Sequence, residues 1–366
     1  MDWAPLERLL NGVHRSAKGE AAYPPLMMFK VLLLQRWYGL SDPAMEAALF
    51  DRISFLRFAG LSMDDETPDH ATIWRFREKL GKAGLMEPLF TELQRQLGAR
   101  GLMVKEGTLI DASLVSSAAR RPRMNEAQTS PVDPDARFGT SNERGRYSFG
   151  YKLHVAVDRG SALVRAFRLT PANIQEVMVG PDLVQGDEAV VYADRGYDAA
   201  RMRDHLQAHG IACGIMRRAR RNQPLRPEEV EHNHALSLKR RPVEAFFGTL
   251  KRSYGFHRMR YFSALRNATA TALACFAFNL KRWRSCTAGW GRLIRPYAIA
   301  NDPNSRHPNT QPNSSPPRQM LPGKPLAPRK GLQDEESWSG RYGVVLILSR
   351  ARERASRRTH ARPAAI

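Results

Sequence analysis

Between residues 24 and 100 apolar side chains recur at three- and four-residue intervals. Leu26, Phe29, Leu33 and Trp37, with Lys30 on the same turns, keep a helical spacing. Ser41 followed by Pro43 reads as an N-cap with proline in the first turn, and Asp69 starts a further helix. From there Ile73, Phe76, Arg77 and Leu80 mark one face while Arg75 and Lys79 point elsewhere. Leu85, Leu89, Phe90, Leu93 and Leu97 mark the next helix. The pattern predicts a small helical bundle over residues 1–104. Arg75 and Arg77 after the Thr67-Pro68-Asp69 turn leave open a helix-turn-helix that reads DNA.

After Lys105 the period shortens. Apolar β-type runs fall at Thr108–Ile110, at Tyr151–Val157 with Leu153, Val155 and Val157 alternating, and at Leu163–Leu169. A helix near Asn173–Val184, a strand at Ala189–Ala193, a helix over Ala199–His209 and a run at Ile211–Met216 follow. Three strands in succession, then helix, strand, helix and strand, predict a mixed α/β sheet with an antiparallel and a parallel side. Residues 105–286 form the α/β domain on this plan. Ser116–Ser148, polar and turn-rich, reads as a long loop close to a substrate.

Composition changes the picture at the C-terminus. Pro, Asn, Ser and Arg dominate residues 287–366, which predicts a basic disordered tail around one apolar run, Val344–Leu348. The formal charge is +21, and Lys and Arg balance Asp and Glu before residue 214, so the excess belongs to the chain beyond it. A field concentrated in this way favours a polyanion, and counterion release makes a phosphate backbone the expected partner. No apolar stretch reaches the ~20 residues of a membrane span, and Asp2, Glu7 and Arg8 interrupt any leader-like run. Cys213, Cys275 and Cys286 form no CxxC or Cys/His cluster, which argues against a disulfide framework or a structural zinc site. A cytoplasmic, nucleoid-associated protein is the expectation.

The candidate chemistry lies in carboxylates. Asp111 follows one apolar strand and Asp194 another, and a charge at the end of a buried strand is costly unless something compensates it. Strand ends of open α/β sheets are where sites form, and two aspartates on adjacent strands can share hard cations through oxygen. Each could equally cap its strand and start a turn. In Arg240-Arg-Pro-Val-Glu244-Ala-Phe-Phe-Gly-Thr-Leu-Lys251, Glu244 and Lys251 lie two helical turns apart beside the apolar stripe of Val243, Phe247, Leu250 and Tyr254. This helix could bring a third carboxylate to the sheet, or be an ordinary surface Glu–Lys helix.

These residues carry a resemblance. From about residue 20 to 283 the chain resembles bacterial insertion-sequence DDE transposases of the family named after insertion sequence five. The motifs are Tyr23-Pro-Pro-Leu, Pro68-Asp69-His70 with Trp74-Arg75-Phe76-Arg77, Leu109-Ile110-Asp111-Ala112, Gly150-Tyr151-Lys152-Leu153-His154, Tyr192-Ala193-Asp194-Arg195-Gly196-Tyr197, and Arg240, Glu244 and Lys251. The last three keep the spacing of a tyrosine-arginine-glutamate-lysine signature, whose tyrosine position holds Ser237 here. The resemblance implies an RNase H-like catalytic domain with Asp111, Asp194 and Glu244 as the catalytic triad. It implies two Mg2+ or Mn2+ ions, cleavage at element ends, and attack of the freed 3′-hydroxyl on target DNA by a homodimer or larger assembly. A transposase-derived DNA-binding protein or repressor that has lost catalysis is the alternative.

Arg217, Arg218, Arg220 and Arg221 form a basic run expected on phosphates, together with Arg240, Lys251, Arg258 and Arg260. Ser113 and Ser116 read as polar residues rather than nucleophiles, His154 as a hydrogen-bonded structural residue, Asp158 as a turn residue, and Asp133 and Asp135 as loop residues.

Overall fold

The structure, a computed structural model, describes residues 1–13, 22–123, 129–140 and 147–286. The expected tail at 287–366, with its Val344–Leu348 run, and parts of the 116–148 segment lie outside the described residues. The helical pattern becomes α1 (Ala4–Leu10), α2 (Pro25–Tyr38), α3 (Asp42–Asp51), α4 (Ile53–Ala59), α5 (His70–Lys82) and α6 (Met86–Ala99). Both anticipated caps are present: Ser41 Oγ accepts from the Ala44 amide at 3.3 Å, and Asp69 Oδ1 from the Thr72 amide at 2.7 Å. Helix α2 ends at Gly39, whose φ of 66° lies in the left-handed region that glycine enters without steric cost.

The sheet contains β1 (Thr108–Ser116), β2 (Arg137–Thr140), β3 (Tyr147–Asp158), β4 (Val164–Pro171), β5 (Val190–Ala193) and β6 (Ala212–Ile215). It is joined by α7 (Glu176–Leu183), α8 (Ala200–Ala208), α9 (Pro227–Lys239), α10 (Arg241–Tyr254) and α11 (Ala264–Cys286). Strands β2 and β4 both pair with β3, followed by β1, β5 and β6. The β4–β3–β1 pairs are antiparallel, and the β1–β5 and β5–β6 pairs are parallel. With the short β2 set aside, this is the strand order of an RNase H-like sheet.

The sheet is buried on both sides, which accounts for the near-continuous apolar run of β5. On one face Leu109, Leu153, Val155 and Val157 share a core with Val243 and Leu250 of α10, Phe29 of α2 and Phe276 of α11. On the other, Ile110, Ala156, Val191 and Ala193 pack with Val179 and Leu183 of α7 and Met202 and Leu206 of α8. The first core continues from the sheet into the N-terminal helices, so the change of period near residue 105 marks no break in packing.

Three elements exceed the sequence expectation. β1 runs on to Ser116, because Asp111–Ser116, although broken by Asp111 and Ser113, continues its ladder with β3 as far as Ser116↔Gly150. Asp111 therefore lies inside β1 and not at its end. β2 occupies part of the expected loop, with Phe138 opposite Phe149. Helix α11 is the longest in the described structure and packs against α2, α5, α6 and β4.

Candidate active site

Parallel pairing between β1 and β5 stops at Ile110↔Ala193. The next residues, Asp111 and Asp194, therefore emerge side by side where the two strands part. By the alternation of strand side chains both belong to the face of Leu109 and Tyr192, the face that α10 covers. β1 continues past this point, whereas Asp194 turns into a short 3-10 segment, Arg195–Tyr197, and its Oδ1 accepts from the Gly196 amide at 2.8 Å.

Helix α10 delivers a cation to this place. Arg240 is its N-cap residue, and Pro242 follows in the first turn, as the sequence predicts. Its Nη2 lies 2.8 Å from Asp111 Oδ2, with both side chains mostly buried. Burial pushes the Asp111 carboxyl up to about 6. The Arg240 guanidinium and the Ala112 amide oppose that rise, while Asp194 and Glu176 add to it.

Glu244 stands one turn beyond Arg240, near the same azimuth of α10, and is exposed. Its side chain has no hydrogen bond or ion pair among the described residues, and it does not touch the two aspartates. Among the described residues no three His, Cys, Asp or Glu side chains stand as a ready-made metal group.

Glu176, the first residue of α7, is a carboxylate that the sequence pattern does not single out. It approaches from the opposite face of the sheet, held by Lys152 Nζ at 3.3 Å, and that ammonium also donates to the Ile174 carbonyl at 3.0 Å. A Cβ on Gly196 would clash with its Oε2, and that Cβ would stand 3.0 Å from Asp194 Oδ1. Beneath them the Tyr197 hydroxyl is fully buried without a hydrogen-bond partner, and burial together with Asp111, Glu176 and Asp194 raises its pKa. An acid in a helix first turn is commonplace, so the sequence offers no signal for Glu176.

The basic residues divide. Arg217, Arg218, Arg220 and Arg221 are all exposed on the segment after β6. The backbone of that segment is pinned: Asn233 brackets Arg217 through bonds of 2.7 and 3.0 Å, and the Arg218 amide donates to Asp198 at 2.8 Å. Lys251 is half-exposed on α10. Arg258 instead donates to the Ser117 and Ala118 carbonyls at 2.9 and 2.5 Å, and Arg260 to Leu40 and Gly39 at 2.9 and 3.0 Å. These two guanidiniums tie the 256–261 segment to the rest of the fold. Arg77 is 3% exposed and makes a bidentate pair with Asp42 at 2.8 and 2.7 Å, so it faces the core rather than a DNA groove.

The expected structural residues are also accounted for. His154 lies buried against Thr170 Oγ1 at 3.0 Å, and Asp158 closes its turn on the Ser161 amide and hydroxyl at 2.8 Å. Asp133 is buried, accepting from Ser117 and Tyr151 at 2.5 Å, while Asp135 caps α11 at the Ala264 amide.

Comparison with known proteins agrees with this architecture. Residues 1–79 match the family model described as Transposase domain (DUF772), and residues 103–280 match the Transposase DDE domain. Among solved structures, the catalytic core domain of BIV integrase is similar at 10% identity and a TM-score of 0.22, over 50% of this chain and 98% of that one. The piggyBac transposase synaptic complex with hairpin DNA is similar at 12% identity and 0.35, over 76% and 72%. The Mos1 transposase paired-end complex with left transposon end gives 13% and 0.19, over 78% and 85%. At such scores these likenesses add nothing to what strand order establishes. No described helix is long and apolar enough to cross a membrane.

Proposed function

This chain is a DDE transposase, and from that premise we propose that Asp111, Asp194 and Glu244 are its catalytic carboxylates. The observation that carries the reading is the emergence of Asp111 and Asp194 side by side at the β1–β5 parting, on the face covered by the helix that bears Glu244. The motif spacing supports a place in the insertion-sequence-five family.

DDE transposases generally use divalent metal ions. The donor set here fits one: every group is a hard oxygen, and the Arg240 guanidinium already stands as a cation on buried Asp111. When bound, two Mg2+ or Mn2+ ions supply the Lewis acidity that activates a water or 3′-hydroxyl and steadies the leaving oxygen of an in-line displacement. Asp111 and Asp194 hold their carboxylates on neighbouring strands, where the sheet fixes their separation. Glu244, on the exposed first turn of α10, is the third carboxylate of the set. Arg240, if a metal ion took its place on Asp111, would be free for a DNA phosphate, an anion its guanidinium matches as it does a carboxylate. Arg217, Arg218, Arg220, Arg221 and Lys251 grip the DNA backbone. No protein nucleophile enters: cleavage at element ends is a hydrolysis, and joining is attack by the freed 3′-hydroxyl, in a homodimer or larger assembly.

In vitro joining of terminal-repeat DNA to a target plasmid tests this reading. The wild-type chain yields cleaved and joined products only with Mg2+ or Mn2+, and Glu244→Gln yields neither. Binding without metal-dependent cleavage by the wild type would favour the repressor reading.

A further inference from the structure

We propose that Glu176 is an additional ligand for the divalent cation held by Asp194. The inference rests on the assignment of Asp194 above and adds a carboxylate from the other face of the sheet. Asp111 has its cation in Arg240, and Glu176 has one in Lys152, whereas no ion pair reaches Asp194 among the described residues. The carboxylate left without a counterion is thus flanked by two others.

Gly196 makes the approach possible. A Cβ there would clash with Glu176 Oε2 and stand 3.0 Å from Asp194 Oδ1, so the bare glycine leaves room for both carboxylates beside it. Two carboxylates gathered beside one glycine repel unless a cation lies between or beside them. The Tyr197 hydroxyl is a second, independent pointer. Fully buried, without a partner, and within the field of Asp111, Glu176 and Asp194, it is a polar group whose hydrogen bond is missing. Such groups ordinarily find a protein or water partner, and a hydrated cation at Asp194 brings water within its reach.

Two protein carboxylates suffice. Mg2+ keeps several waters and is commonly held by one or two carboxylates plus substrate phosphates, so no three-residue cage is required. Lys152 acts as the placeholder, able to release Glu176 while retaining the Ile174 carbonyl.

Titration of the full chain with Mn2+, following the free-ion paramagnetic resonance signal without DNA, tests this. Glu176→Gln keeps size and shape and is expected to weaken the ion bound at Asp194 by about tenfold or more, as losses around metal sites commonly do. Asp194→Asn should do the same, while Asp182→Asn, on the same helix, should leave binding unchanged. Thermal midpoints in chelator check that each variant is folded. Should Glu176→Gln melt early there, Gly196→Ala carries the same test, because its methyl displaces the Glu176 carboxylate. Wild-type affinity in a folded Glu176→Gln or Gly196→Ala chain, with Asp194→Asn impaired, overturns the proposal and leaves the assignment of Asp194 standing. Wild-type affinity in all three overturns both.

Discussion

Asp111 and Asp194 are legible in the sequence because each follows an apolar run whose strand type is unambiguous, and a carboxylate there needs a reason. The roles of Arg77, Arg258 and Arg260 are not legible. A guanidinium looks the same in sequence whether it meets a phosphate, as expected, or a carboxylate or backbone carbonyl of the fold, and only the distant Asp42, Ser117 and Leu40 supply those partners. His154 is legible as a structural residue, since strand alternation places it opposite Leu153 and Val155. Its burial pushes the imidazole pKa down to about 3, with Lys152 adding to the effect. The folded chain therefore resists protonating it, while the unfolded chain accepts a proton near ~6.5. Between those values the unfolded state binds more protons, so stability present above pH ~6.5 is lost as the pH falls toward about 3. Urea unfolding of wild type and His154→Gln between about pH 4.5 and 7, inside that window, checks this. The wild-type slope should be steeper by up to about 1.4 kcal/mol per pH unit. Equal slopes would show that His154 titrates normally in the fold.

Among elements, the two longest helices near the C-terminal side of the domain differ in how readily they are read. Helix α10 announces itself through Val243, Phe247, Leu250 and Tyr254, all on one side. Helix α11 does not, because Ala270, Ala272, Leu273, Ala274, Cys275, Phe276 and Ala277 are all buried, leaving no periodic contrast to detect. β2 is hidden for the opposite reason: four residues within a polar, turn-rich stretch carry too little pattern. Helix α11 also protects the sheet. Asn279 accepts from the Val164 amide and donates to its carbonyl, each at 2.8 Å, satisfying backbone groups on the edge strand β4 as a neighbouring strand would. Asn279→Ala leaves both buried groups unsatisfied and should destabilise the fold by about 1–3 kcal/mol for each one. Denaturant unfolding measures the loss. A change below about 0.5 kcal/mol, the size of an ordinary surface substitution, would mean that water replaces the amide at no cost.

At the scale of the whole molecule, the charge gradient along the sequence indicates a nucleic-acid partner before any fold is considered. The structure refines this: Arg258 and Arg260, although exposed, spend their guanidiniums on backbone carbonyls, whereas Arg217, Arg218, Arg220 and Arg221 are exposed on a segment pinned through its backbone. Replacing these four with glutamine should weaken DNA binding and flatten its salt dependence, by up to ~0.9 in log–log slope for each phosphate no longer neutralised. An unchanged slope would show that the run faces solvent in the complex. The continuous core from the N-terminal helices through α11 to the sheet makes β1 part of the same packed body as helices α1 to α6. The proposed place of metal-dependent chemistry is the point where Asp111 and Asp194 emerge together. The most direct test is cleavage of terminal-repeat DNA by Asp194→Asn in Mg2+, measured beside DNA affinity on the same preparation. The amide keeps the shape of the side chain but is a poor ligand for a hard cation, so cleavage should vanish while binding persists. Cleavage at the wild-type rate would contradict the account.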